Sequence, residues 1–247
     1  MPALAKLTTV EGKIFAREPL AMFWGLIFPA VLLIALGLFF PGFDTPSPDL
    51  GGFRMIDLYA PIVLGLALAT LAFATLPAIL STYRERGVLR RLQTTPVSPW
   101  RLVAAQLIIQ MIVAVLAAAL AVGVGAVVFD IPIPENLGGF VLVYVLAAVS
   151  MLAIGLLIGA VAPTVSSGQG IGMAVYFPML FFAGVYFPRE AMPDGLLAVS
   201  DMTPTGAGVQ ALQDTWSGLA PSTSSLLVMA AFAIGAGVLA ALAFRWE

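Results

Sequence analysis

The residues able to carry chemistry are few and unevenly placed. The 247-residue chain has 11 Lys and Arg, 13 Asp and Glu, and neither Cys nor His. That removes thiol nucleophiles, disulfides, Cys/His metal sites and any Ser–His relay. Ser166-Ser167-Gly168 offers a hydroxyl but nothing beside it in sequence to activate one, so it reads as part of a polar turn. Gly12-Lys13 lacks the upstream glycine of a phosphate loop and is followed by Ile14, so ATP has no such cradle here. No metal or cofactor site is expected in this chain.

The densest chemistry lies between Thr82 and Arg101, where Arg84, Glu85, Arg86, Arg90, Arg91 and Arg101 cluster. Gly87 can release the chain from a preceding helix. Val88, Leu89 and Leu92 then form a short apolar face with Arg90 and Arg91 on the remainder, and Pro96 ends it. A short amphipathic helix of this kind can dock into a groove on a soluble partner. The same arginines can instead act as anchors to anionic lipid headgroups.

A second informative stretch runs from Phe181 to Gly218. An aromatic helix end carrying Phe177, Phe181, Phe182 and Tyr186 meets Phe187-Pro188 and the charged pair Arg189-Glu190. Pro193 precedes a short apolar helix around Leu196 to Val199, and Thr203-Pro204 opens another. The segment is long for a structureless loop, and backbone that folds back to membrane depth must be covered by protein or line a cavity. It reads either as a cap that seals a helix bundle or as a gate. The four aromatics read either as the wall of a path or as lipid-facing and core residues.

The elements that position these segments follow from composition. Hydrophobic residues make up 61% of the chain and charged residues 10%, against roughly 25% charged in soluble domains. Stretches 20–43, 58–83, 102–129, 138–188 and 215–244 carry no Asp, Glu, Lys or Arg. A bilayer core about 30 Å thick needs roughly 20 apolar helical residues to cross it. The stretch 138–188 is interrupted at Pro163–Gln169 and divides in two. The expectation is an all-α integral membrane protein, a single domain over 1–247, with spans near 20–40, 58–82, 102–129, 138–162, 170–187 and 222–244. Gly155-x-x-x-Gly159 suits close helix packing, within the chain rather than between chains.

Charge asymmetry orients that frame. Lys6, Lys13, Arg17, the five arginines of the 82–101 segment and Arg245 fall on one side of a six-span arrangement; only Arg54 and Arg189 fall on the other. Basic residues mark the cytoplasmic side, so both termini are expected there. The first 20 residues do not read as a cleavable signal. Leu4, Leu7, Val10, Ile14 and Phe15 recur at helical spacing and predict an amphipathic helix in the inner interface.

At these two segments the chain resembles the permease subunits of type-2 ABC exporters, which include drug, antibiotic, polysaccharide and lipid exporters. The matching residues are Glu85-x-Gly87, Arg90-Arg91-Leu92 and Thr95-Pro96-Val97-Ser98, then Gly184-x-x-Phe187-Pro188, Pro193 and Thr203-Pro204. Thr203 stands where family members often carry Asn; either caps a helix. The resemblance implies two permease subunits, identical or not, joined to two ATPase subunits that bind the ATP and Mg. It makes Glu85, Gly87, Leu89, Arg90, Arg91, Leu92 and Pro96 the coupling segment, and Phe187, Pro188, Pro193, Thr203 and Pro204 part of outer re-entrant helices at the exit. It also implies a bacterial inner-membrane location, with the bilayer but no nucleic acid among the partners. An ion-gradient transporter is the alternative, but its spans need charged or His groups at depth, which are absent here. An intramembrane enzyme would lack a general base. The cargo is not legible.

Overall fold

The computed structural model describes residues 3–47, 52–88, 91, 98 and 100–244, with only the backbone of Glu190. Among these it forms nine helices: α1 (Ala3–Arg17), α2 (Pro19–Phe39), α3 (Met55–Glu85), α4 (Trp100–Phe129), α5 (Leu137–Val161), α6 (Val165–Phe182), α7 (Asp194–Asp201), α8 (Pro204–Trp216) and α9 (Thr223–Ala243). A single 3-10 turn, Arg189–Ala191, precedes α7. No strand forms among the described residues beyond an isolated bridge between Pro46 and Arg54. The protein is an all-α membrane bundle. Five helices, α2, α3, α4, α5 and α9, are long and apolar enough to cross a bilayer, with mean hydropathy of 2.3 to 2.8. Helix α6 has 18 residues, about 27 Å at 1.5 Å per residue; its polar first turn keeps it out of that group.

Helix α3 is the centre of the bundle. Its apolar stretch is 78% buried, against 56% for α5 and 22% for α2. Two prolines set its shape and that of α2. Pro29 and Pro77 cannot donate to the carbonyls four residues earlier, and their rings crowd those carbonyls. In both helices a π-helical turn, Phe23–Ile27 and Thr70–Thr75, spans the orphaned carbonyl and widens the helix there. In α3 the widened turn pushes carbonyls toward neighbours that carry no side chain. A Cβ on Gly155 of α5 would lie 2.0 Å from Ala72 O, and one on Gly172 of α6 would lie 2.2 Å from Phe73 O. Gly159 meets Leu80. The Gly155/Gly159 pair therefore packs within the chain, as its sequence suggested.

Helix α6 runs antiparallel along α3 for its whole length. Val165 meets Glu85, Gly168 meets Ser81, Gly172 meets Phe73, Tyr176 meets Thr70 and Gly184 meets Ile62. Helix α8 is sunk among α3, α5 and α9, with ten of its 13 residues buried. Its entry is capped by Thr203, whose Oγ1 accepts from the Gly206 amide at 3.0 Å, with Pro204 at the first position. Ser222 caps α9 in the same way.

Sequence expectations at two helices, α6 and α3, are corrected. The polar residues Ser166–Gln169 are not a turn. They form the first turn of α6, because Thr164 and Ser167 cap that helix reciprocally. The connection from α5 is only Ala162–Thr164, and α6 ends at Phe182, so Tyr186 and Phe187 lie beyond it. Helix α3 extends from Met55 to Glu85, further at both ends than 58–82. Helix α1 forms where the apolar spacing predicts it, with Leu7 and Phe15 packed on the core, Val10 and Ile14 exposed and Glu11 buried.

Candidate functional site

The arginine-rich segment hangs directly from α3. The helix closes with Arg86 N donating to Thr82 O and Gly87 N to Arg84 O, both at 3.0 Å. Gly87 then takes φ +65°, the left-handed geometry that releases a helix end. Arg91 N donates back to Gly87 O at 3.1 Å, one helical bond beyond the release point. Val88 packs against the core while Arg91 is exposed. Leu89, Arg90, Leu92 and Pro96 of the expected coupling segment lie outside the described residues.

Immediately before that release, three consecutive side chains engage three different elements. Tyr83 Oη donates to Glu11 Oε2 of α1 at 2.5 Å. Arg84 donates to Gly159 O at 3.1 Å, to Ala160 O at 2.9 Å and to Ala162 O, the carbonyl end of α5. Its guanidinium also sits 5.6 Å from the centre of the Phe244 ring, just past α9. Glu85 Oε2 accepts from Val165 N at 2.8 Å, the amide end of α6. Burial raises the Glu11 carboxyl above the ordinary glutamate value, with the Tyr83 hydroxyl bond partly opposing the rise.

At the opposite end of the bundle Arg189 organises the segment after α6. It is 2% exposed. It donates to Phe182 O at 3.2 Å, to Ser200 Oγ and to Asp201 Oδ1, and reaches Gln210 Oε1 at 3.4 Å. Ser200 Oγ donates to Phe182 O at 2.6 Å, and Thr203 Oγ1 donates to Ser200 O at 2.7 Å. One guanidinium thus joins the end of α6 to α7 and α8. Of the expected gate residues, Thr203 joins this cluster through Ser200 O, and Pro204 is buried at the first position of α8. Pro193 stands at the exposed start of α7, Pro188 is half-buried, and Phe187 faces outward.

Arg54 does similar work on the same end. It donates to Phe129 O at 2.7 Å, closing α4, while pairing with Asp57 at 2.7 Å and Asp44 at 2.9 Å. Arg54, Arg84 and Arg189 therefore each satisfy the carbonyl end of a different long helix. Those carbonyls have no partner within their own helix, and little water reaches them in a membrane.

Between the two ends, α6 turns one face to α3 and leaves the other bare. Gln169, Gly170, Met173, Ala174, Phe177 and Pro178 are exposed on it. Among the path candidates, Phe177 and Tyr186 are more than half exposed. Phe181 and Phe182 are half-buried and stacked edge-to-face at 5.8 Å. An apolar groove of about 270 Å³ also opens between α4 and α5. The Tyr144 hydroxyl on its wall is committed to Ala114 O at 2.8 Å, so that tyrosine has no polar donor left to offer.

Sequence reasoning missed the contacts made by Glu11, Tyr83, Arg84, Ser200 and Asp201. Arg54 and Arg189 carried a signal: they were the two exceptions to the charge asymmetry.

A bundle of long apolar helices, with its basic segment suspended from the most buried of them, defines a multi-pass membrane protein. The chain belongs to the ABC-2 type transporter family, whose model matches residues 4–216, and so is a membrane subunit of an ABC transporter rather than an enzyme. It is 26% identical over 242 residues to the putative transport permease YvfS of Bacillus subtilis, covering 94% of this chain and 93% of that one. It is 29% identical over 111 residues to the probable multidrug ABC transporter permease YbhR of Escherichia coli K12, covering 44% of this chain and 30% of that protein.

Proposed function

We propose that this chain is the permease of an ATP-driven exporter in a bacterial inner membrane, joined to a second permease and two separate ATPase subunits. Six crossings with both termini cytoplasmic fit the fold, because α6 lies along α3 from Glu85 to Thr70 and the Gly184 that follows it lies beside Ile62, so the pair runs alongside most of a spanning helix. The ATPases act on the segment following Gly87, with Arg90, Arg91 and Leu92 as contact residues and Leu89 and Pro96 shaping the docking helix. The observation that carries this reading is the attachment of that segment to α3. A push there is delivered to the most buried long helix, against which α2, α4, α5 and α6 pack. The bare face of α6, with Phe177, and the aromatics at its end supply the path wall. Helices α7 and α8, held by Arg189, form the re-entrant outer gate together with Phe187, Pro188, Pro193, Thr203 and Pro204. An apolar or amphipathic cargo suits such a wall, in line with the multidrug label of the YbhR relative.

The test is purification of the tagged permease from native membranes in mild detergent, followed by mass measurement of the intact complex. The reading expects two permease and two ATPase chains, with ATP hydrolysis in the eluate. A permease recovered alone, and active in vesicles on an ion gradient, overturns it.

A further inference from the structure

The dipeptide Arg84-Glu85 is matched in charge to the turn it contacts. Helix α5 ends at Val161 and α6 begins at Val165, so the carbonyl end of one and the amide end of the other are joined by a short connection. A carbonyl end carries partial negative charge and an amide end partial positive charge. Arg84 lies on the first through three carbonyls, and Glu85 lies on the second through Val165 N. Tyr83 points elsewhere, to Glu11 of α1. Successive helical residues are turned by about 100°, so three adjacent side chains reach three separate neighbours. All three stand within the last turn of α3, which stays helically bonded up to Gly87.

We propose that Tyr83, Arg84 and Glu85 form a junction that converts displacement of the segment after Gly87 into joint movement of α1, α5 and α6. Glu85 is the positioning residue that makes α6, and with it the bare face bearing Phe177, follow α3. This rests on the coupling role argued above and adds to it the route by which the motion reaches the path. The charge-assisted contacts make the route direct. Without Glu85, α3 keeps its hold on α5 through Arg84 but loses its polar tie to the start of α6. What then joins the two helices is the Tyr176–Thr70 hydrogen bond at 2.9 Å, further along the pair, with Gly168 and Gly172 in close contact between.

This chain has no native Cys, so in a complex assembled with a Cys-free ATPase each introduced Cys is the single labelling site. Ser98→Cys, in the basic segment, and Ser166→Cys, on the first turn of α6, are both at exposed positions. Each is labelled with bimane in the complete permease–ATPase complex in nanodiscs, and its emission is compared without nucleotide and with ATP plus vanadate. With the junction intact, both reporters are expected to change. In Glu85→Gln, position 98 keeps its full response while the response at 166 falls about 5-fold, the population change expected on losing a charge at a helix end. Glu85→Asp, which retains the charge, restores part of it. A response at 98 with silence at 166 in the unsubstituted junction overturns the proposal, as does a Glu85→Gln complex in which 166 responds fully. Silence at both positions, or loss of the ATPase on purification, overturns the coupling reading itself, so the two failures are distinguishable.

Discussion

Replacing Gly155 by Ala probes the seat of the central helix. The added Cβ would stand 2.0 Å from Ala72 O and 2.9 Å from the Ala72 carbonyl carbon. Relaxed carbon–oxygen contacts between helices are about 3.3 Å or longer, so the helices must part by about 1.3 Å there. Backbone lies on the α3 side of this contact, so no rotamer change absorbs the clash. Overpacking of this severity belongs at the top of the usual range, about 3 kcal/mol. The better helix propensity of Ala returns about 1 kcal/mol, leaving a net loss of about 2 kcal/mol. For a chain of this size that corresponds to a fall in Tm of about 4–8 °C. The assay is a tryptophan-fluorescence melt of the detergent-purified protein, with Gly235→Ala as control. Gly235 is exposed on α9, and a methyl added there would meet nothing within 4 Å, so Ala is neutral or stabilising at that position. A Gly155→Ala protein that melts at or above the parent would show that the π turn of α3 does not rest on α5.

Further outcomes follow from the same contacts. Arg189→Met strips the tie among Phe182 O, Ser200 and Asp201. Because Asp201 is half exposed and regains water, the loss is expected at about 2 kcal/mol rather than the roughly 3–5 typical of a fully buried pair; limited proteolysis between α6 and α8 should accelerate, and unchanged cleavage would contradict the hub. Gly172→Ala, 2.2 Å from Phe73 O, should loosen α6 from α3, visible as a faster-moving spin label at Ser166→Cys. Glu11 has a raised folded-state value, so the stability it contributes is full below the ordinary glutamate value of 4.5 and is lost as pH rises through the raised value. A spin label at exposed Thr9→Cys should therefore gain mobility as pH rises, and Glu11→Gln should abolish that dependence. In sealed right-side-out vesicles, impermeant maleimide added outside should label Thr45→Cys and Ser222→Cys but spare Ser98→Cys and Ser166→Cys; external labelling of Ser166→Cys would remove the crossing assigned to α6.

Much of the frame was legible because lipid imposes one rule on long apolar stretches, and five of them became long helices. Gly87 and Thr203-Pro204 also did what their residue types suggest, releasing one helix and opening another. The polar run Ser166–Gln169 misled, since Ser and Gln in an apolar stretch resemble a turn until Thr164 is seen to cap it. Glu11 was hidden for a different reason. Its partner Tyr83 is 72 residues away, and only the docking of α1 along α4, which brings Glu11 to Tyr83, makes a buried acid tolerable there. The counting of arginines by side concealed that Arg54, Arg84 and Arg189 are helix-end ligands first. The two that broke the asymmetry are held by Phe129 O and Phe182 O, where carbonyl ends require donors.

The most direct test of the account is the ATP turnover of the purified complex when Arg90 and Arg91 are changed together to Glu. The double variant is expected to insert into the membrane while hydrolysis coupled to it falls. Turnover equal to that of the parent complex would contradict the claim that the basic segment receives the ATPase.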